Sequence, residues 1–164
     1  RALWKSHIPM VSTMMARPEE PAPNLVVEDI EILPTRPVLG DPTAVRVTVR
    51  NTGAAAITTP FWVDLYADPR GIPGVDRIWS DVSDYGAAWL VPSLGTGQSI
   101  VLDTRVSGDS SRRVYSNFAS FATAGPHWIV VQADSYGSGR VHGAVDESDE
   151  GDNSGDETVV VAGR

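Results

Sequence analysis

From Asn24 onward the chain is written in short runs whose apolar residues recur at every second position. In AVRVTVRN, residues 44–51, Val45, Val47 and Val49 alternate with Arg46, Thr48 and Arg50. Successive side chains of a strand point to opposite faces, so this segment predicts a strand with one dry face and one wet face. After a turn at Asn51, Thr52 and Gly53, FWVDLY sets Phe61, Val63 and Leu65 on one face and Trp62, Asp64 and Tyr66 on the other. Ile100, Leu102, Thr104 and Val106 alternate in the same way with Val101, Asp103 and Arg105.

The remaining runs complete the series. NLVVEDIEIL, residues 24–33, opens it, and its apolar phase switches between Val27 and Ile30, as a β-bulge or a change of sheet requires. A short strand is expected at AAWLVP, residues 87–92. HWIVVQAD, from His127, is nearly continuous in apolar residues and suits a position inside a sheet. TVVVA closes the chain as the last strand.

Three loops rich in Gly, Pro, Ser and Asp interrupt these runs at residues 68–86, 107–124 and 135–153. Within the second, RRVYSNFASF predicts one or two helical turns, although its Ser and Asn compete with a helix for hydrogen bonds. About seven short strands without a long helix predict an all-β fold, an immunoglobulin-like antiparallel sandwich of two sheets.

Residues 1–23 have a different character. If RALWKSHIPMVSTMM is extended, Ala2, Trp4, Ile8, Met10 and Met14 share one face. ARPEEPAP, residues 16–23, then reads as an extended Pro-rich linker, which places the boundary between arm and sandwich at 23/24. An exposed apolar arm promotes aggregation, so it is expected to dock. It can fold back on its own domain, or add as a strand to a neighbouring copy and so build a filament or surface layer. Ala2, Trp4, Ile8, Met10 and Met14 are the expected assembly contacts.

The 164 residues suit one domain plus the arm, since an immunoglobulin-like sandwich takes roughly 100. Lys and Arg number 13 against 21 Asp and Glu, a net charge of −8, which disfavours nucleic acid and anionic membrane surfaces as partners. The absence of cysteine removes disulfides, thiolate nucleophiles and Cys-based zinc sites. No apolar run approaches the roughly 20 residues of a membrane-spanning helix. A chain opening on Arg1 is expected to be a processed product or a fragment.

Four segments together resemble the CARDB domain, a cell-adhesion-related domain found in bacteria. They are NLVVEDIEILP, VRVTVRNTG at 45–53, LGTGQSIVL at 94–102, and GPHWIVVQAD followed by ESDEGDN. The likeness covers residues 24–162. Asp152 stands where the family usually has its first Asn, and Asn153 keeps the second. The resemblance implies an extracellular or bacterial cell-surface location and implies no reaction.

Three groups of residues are candidates for chemistry. The acidic run VDESDEGDNSGDE can be aligned as a twelve-residue calcium loop, with ligands at Asp146, Ser148, Glu150, Asp152 and Glu157. Its eighth position, Asn153, is not apolar and its flanks are not helical, and a solvated acidic turn explains the same residues. Trp62, Trp79 and Trp89 form a candidate ligand-binding set for sugars or a protein surface; the alternative is that Trp79 and Trp89 pin the long loop onto the sheet.

Catalysis finds little support. Histidines 7, 127 and 142 are scattered, no G-x-S-x-G elbow occurs, and Asp68, Asp76, Asp81 and Asp84 offer no distinguished pair. The sequence therefore predicts a non-catalytic extracellular adhesion or structural protein that assembles with itself. The alternative is a carbohydrate- or protein-binding module of a larger cell-surface protein. No cofactor is expected apart from calcium.

Overall fold

The computed structural model describes residues 20–77, 79–105 and 114–164. Among the described residues, eight strands form two antiparallel sheets. β1 (Leu25–Leu33), β2 (Ala44–Asn51) and β5 (Ser99–Asp103) make a three-stranded sheet in the order β1-β2-β5. β3 (Phe61–Ala67), β4 (Tyr85–Val91), β6 (Val114–Ser116), β7 (Gly125–Ala133) and β8 (Ser154–Val161) make a five-stranded sheet in the order β6-β4-β3-β7-β8.

The two-residue alternation sets which side chains meet between the sheets. Val45, Val47 and Val49 of β2 and Leu102 of β5 face Phe61, Val63 and Leu65 of β3. Ala87, Trp89 and Val91 of β4 join them, as do Ile129, Val131 and Ala133 of β7. Burying each Val, Leu, Ile or Phe side chain here stabilises the fold by roughly 1.5–3 kcal/mol, so this layer is the main source of stability. The switch of phase in the first strand is a bulge, because the β1–β2 register shifts between Val27 and Asp29.

Two expectations need correction. The segment around Tyr115 contains a strand and no helical turn in its described part: Val114–Ser116 pairs with Ala87–Trp89. Val114 turns inward against the core and Tyr115 turns outward beside Trp62, a pairing with remote residues that local propensity does not register. The long loop also ends earlier than predicted, because β4 begins at Tyr85, and it carries a single helical turn, α1 (Trp79–Val82).

That loop lies across the outer face of the five-stranded sheet. Val82 and Trp79 pack on Tyr66 of β3 and Val130 of β7. The Tyr66 hydroxyl donates to the Arg77 carbonyl at 2.8 Å, and the Arg70 N–H donates to the Val82 carbonyl at 2.8 Å. Gly86 permits the close approach, since a Cβ there would meet the Leu65 carbonyl oxygen at 2.3 Å and the Trp79 ring at 3.0 Å.

Ala2, Trp4, Ile8, Met10 and Met14, expected as assembly contacts, lie outside the described residues. The end of the linker is fastened to the sandwich. The Ala22 carbonyl accepts from Ala54 N–H at 2.9 Å, and the Pro23 carbonyl accepts from Ser148 N–H at 2.9 Å.

Candidate functional site

The loop leaves part of the outer sheet face uncovered, and the gap is a cleft of about 400 Å³. Trp62 and Asp64 of β3, Ala88 of β4 and Tyr115 of β6 supply its sheet side, and Trp79, Ser80 and Tyr136 supply its loop side. Strand alternation puts Trp62 and Asp64 on the outward face, and lateral pairing brings Ala88 and Tyr115 alongside. The Trp62 and Tyr115 ring centroids are 6.0 Å apart with their planes tilted by 34°. Tyr115 is 57% exposed and Tyr136 is 41% exposed. The rings thus form the walls of a concavity and do not make a flat platform.

Asp64 is the deeply buried acid of this cleft, at 2% exposure. Its Oδ2 accepts the Trp79 N–H at 3.0 Å, which anchors the start of α1. Burial raises its carboxyl to about 6, against the opposing pull of the neighbouring Ser135 hydroxyl and of the Trp79 N–H. No described Lys or Arg forms an ion pair with it.

Of the three tryptophans singled out in the sequence, the structure brings Trp62 and Trp79 together in this cleft. Trp89 lies on the opposite side of the sheet, 2% exposed in the core, because its position in β4 has the parity of Ala87 and Val91. It therefore does not pin the long loop, whereas Trp79 does. Tyr115, Tyr136 and Asp64 were not singled out. The outward phase of FWVDLY placed Asp64 with Trp62, but its burial comes from a loop remote in the chain.

The acidic run forms a different arrangement. Asn24 sits at its centre: its Nδ2 donates to both carboxylate oxygens of Asp152, and its Oδ1 accepts from Ser148 Oγ at 3.1 Å and Asp149 N–H at 2.9 Å. Glu150 accepts the Glu147 N–H at 2.9 Å. Asp146 lies 3.5 Å from Arg140, and Glu157 is within β8 opposite Ile129. The five proposed calcium ligands therefore do not converge as a twelve-residue loop requires. Among the described residues, no three His, Asp or Glu side chains form a group that could hold a metal ion.

Glu147, absent from that ligand set, is the pivotal acid of the run. Its carboxylate accepts the Leu25 N–H and the Asn153 Nδ2–H, the latter at 2.7 Å. Burial pushes it up to about 8, with Glu150 and Asp134 adding repulsion. Asp134 accepts the Ala144 and Val145 N–H groups at 2.9 and 2.8 Å, and burial raises it to about 6.

The loop acids and His127 are similarly tied to the fold. Asp68 accepts the Trp128 N–H at 2.9 Å and meets His127 Nδ1 at 2.6 Å, while His127 Nε2 lies 2.9 Å from the Thr123 carbonyl. Both ring nitrogens are thus engaged. Asp76 accepts the Gly137 N–H at 3.0 Å, and Asp84 pairs with Arg70 at 2.5 Å. Neither arrangement has the facing carboxyls of a glycosidase.

Fold and cleft together define an immunoglobulin-like β-sandwich with a ligand-sized aromatic recess on its larger sheet. Among solved structures, it is similar to the CARDB domain of a Pyrococcus furiosus protein crystallised in complex with di-metal ions. That likeness has 19% identity and a TM-score of 0.57, and covers 87% of this chain and 96% of the other. A solution structure of the same domain gives 18% identity and a TM-score of 0.53, with coverages of 86% and 96%. A domain of a Methanosarcina acetivorans protein, named as a cell surface protein, gives 21% identity and a TM-score of 0.53, with coverages of 85% and 92%. No family model and no curated protein matches the sequence. The chain has a CARDB-like domain fold.

Proposed function

We propose that this chain is a non-catalytic binding module of the cell surface, and that the recess between Trp62, Trp79 and Tyr115 is its ligand site. One observation carries the reading. Where the loop covers the outer sheet face, aromatic and aliphatic side chains pack together; where it stops, aromatic rings are left lining a recess of small-molecule size over a buried acid. The ligand class is a carbohydrate or a segment of another protein, both of which use such rings for contact area. The surface location is supported by the likeness to the Methanosarcina acetivorans domain.

The test uses the full chain. The five Trp indole N–H resonances are followed by NMR while surface glycans and peptides are added. Saturable shifts of the Trp62 and Trp79 signals, with the Trp79 shift lost in Trp62→Ala while the spectrum stays folded, support the site. If every ligand that binds leaves these two signals in place and perturbs another surface, the cleft is not the binding site. Filament formation through residues 1–23 is a separate proposal. Its test is whether removing that segment converts large, concentration-independent species into monomers.

A further inference from the structure

We infer that the cleft selects a quaternary ammonium group, with Asp64 as the counter-charge at its floor and Trp62, Trp79 and Tyr115 as its walls. This inference rests on the reading of the cleft as the ligand site, and adds the chemistry of what enters it.

The argument begins with the cost of Asp64. A carboxyl buried to 2% exposure loses its hydration, and the described residues return the Trp79 N–H and the neighbouring Ser135 hydroxyl but no cationic partner. Anchoring α1 does not explain the charge. An Asn side-chain oxygen would accept the Trp79 N–H equally well without a buried ionised group, and an unpaired buried charge is costly. Raised to about 6 by burial, the carboxyl is still ionised at neutral pH. Its negative charge lies at the bottom of a recess whose walls are aromatic rings.

The walls favour the same sign of charge. Each ring face carries partial negative charge, and rings placed around a recess attract a cation within about 6 Å of their centroids. They also decide which kind of cation. A primary ammonium carries three N–H donors that need acceptors, whereas a quaternary ammonium carries none and spreads its charge over methyl groups. The cleft offers mainly ring surface, with Asp64, the hydroxyl of Ser80, the two phenols and the two indole N–H groups as its side-chain polar groups. A methylated cation loses little hydration on entering and meets rings on both the sheet side and the loop side. Flat stacking of a sugar ring fits less well, because Trp62 and Tyr115 are inclined to each other.

The experiment compares choline with 3,3-dimethyl-1-butanol, which has the same shape without the charge, and with butylamine, a primary ammonium. Each is titrated into the full chain while the Trp indole resonances are observed. Choline is expected to shift the Trp62 and Trp79 signals saturably and to bind at least about tenfold more tightly than the neutral alcohol, as a desolvated cation on aromatic faces requires. Asp64→Asn retains the acceptor for Trp79 N–H and is expected to reduce the preference several-fold, to what the rings alone supply, while leaving the weak response to the alcohol.

Equal binding of choline and the alcohol overturns the inference, as does binding of butylamine as tight as that of choline. These comparisons need only the unaltered protein, so they stand even if Asp64→Asn misfolds. If glycans or peptides shift Trp62 and Trp79 and choline does not, the cleft remains the binding site and only its cation selectivity fails. If nothing shifts these signals, both readings fail.

Discussion

Asn24 and Asp152 are held together across nearly the whole chain, with the Asn24 Nδ2 at 3.0 and 3.3 Å from the two carboxylate oxygens of Asp152. The entry to β1 is thereby fixed to the loop that leads into β8. Asn24→Ala would remove this contact and the acceptor for Ser148 Oγ and Asp149 N–H. The expected loss of stability is about 2–3 kcal/mol, since several partly buried groups lose their partner together. Urea unfolding followed by Trp fluorescence checks this; an unchanged midpoint would mean that the loop holds itself without Asn24.

Acid is expected to stabilise the domain. Glu147 rises from 4.5 unfolded to about 8 folded, so between these values the folded state holds more protons than the unfolded one. The associated stability is fully present below about pH 4.5 and is lost as pH climbs towards 8. Asp64 and Asp134, each raised from 3.8 to about 6, steepen the dependence between about pH 4 and 6. The ceiling is about 1.4 kcal/mol per pH unit for each group, and partial solvation reduces it for Glu147.

Glu147→Gln should flatten that dependence above pH 6 and raise the thermal midpoint at pH 7.5. The neighbouring Asn153 Oδ1 is buried without a partner among the described residues. With the Asn153 amide turned over, it can accept a proton from a neutral Glu147 or an N–H from Gln, while the other oxygen keeps the Leu25 N–H. A midpoint at pH 7.5 lower than that of the unaltered protein would show that the charged form is the one the fold favours.

Gly86→Ala tests how the long loop is seated. The added methyl would collide with the Leu65 carbonyl oxygen and press on the Trp79 ring, so α1 should lift from the sheet. An overpacked site of this kind is expected to cost about 1–3 kcal/mol and to increase hydrogen exchange in residues 69–84 ahead of the core strands. Equal exchange across the loop in both proteins would argue that the strand shifts instead.

Chelation tests the acidic run. Asp146, Glu147, Asp149, Glu150 and Asp152 are engaged with N–H groups of the same domain, so EDTA or added calcium is expected to leave the thermal midpoint unchanged. A midpoint that rises with calcium concentration would reveal a cation bound preferentially to the folded state. Loss of that rise in Asp152→Asn would then place it near Asn24.

The sandwich was legible in the sequence because strand alternation has a period of two, and each run carries its own record of which face is dry. Val45, Val47 and Val49 needed no knowledge of the rest of the chain, and neither did Phe61, Val63 and Leu65. The bulge in β1 was visible for the same reason, as a local break of phase. Residues 112–121 misled, because a three-residue strand such as Val114–Ser116 is stabilised by pairing with β4 and not by its own propensity.

The site was legible only in part, since its members answer to partners far away in the chain. Sequence placed Trp62, Asp64 and Tyr66 on one outward face, but outward means exposed only until something covers it. The loop folds over Tyr66, buries Asp64 and stops short of Trp62, and that stopping point is set by the packing of Trp79 and Val82. Trp89 shows the converse: its parity was written in AAWLVP, but a run that is apolar on both faces does not say which face is the core. Local alternation by itself determined the strands and the two-layer body; the cleft, its buried acid and the links around Asn24 were decided only by tertiary structure, because burial and hydrogen bonding depend on contacts between segments remote in sequence.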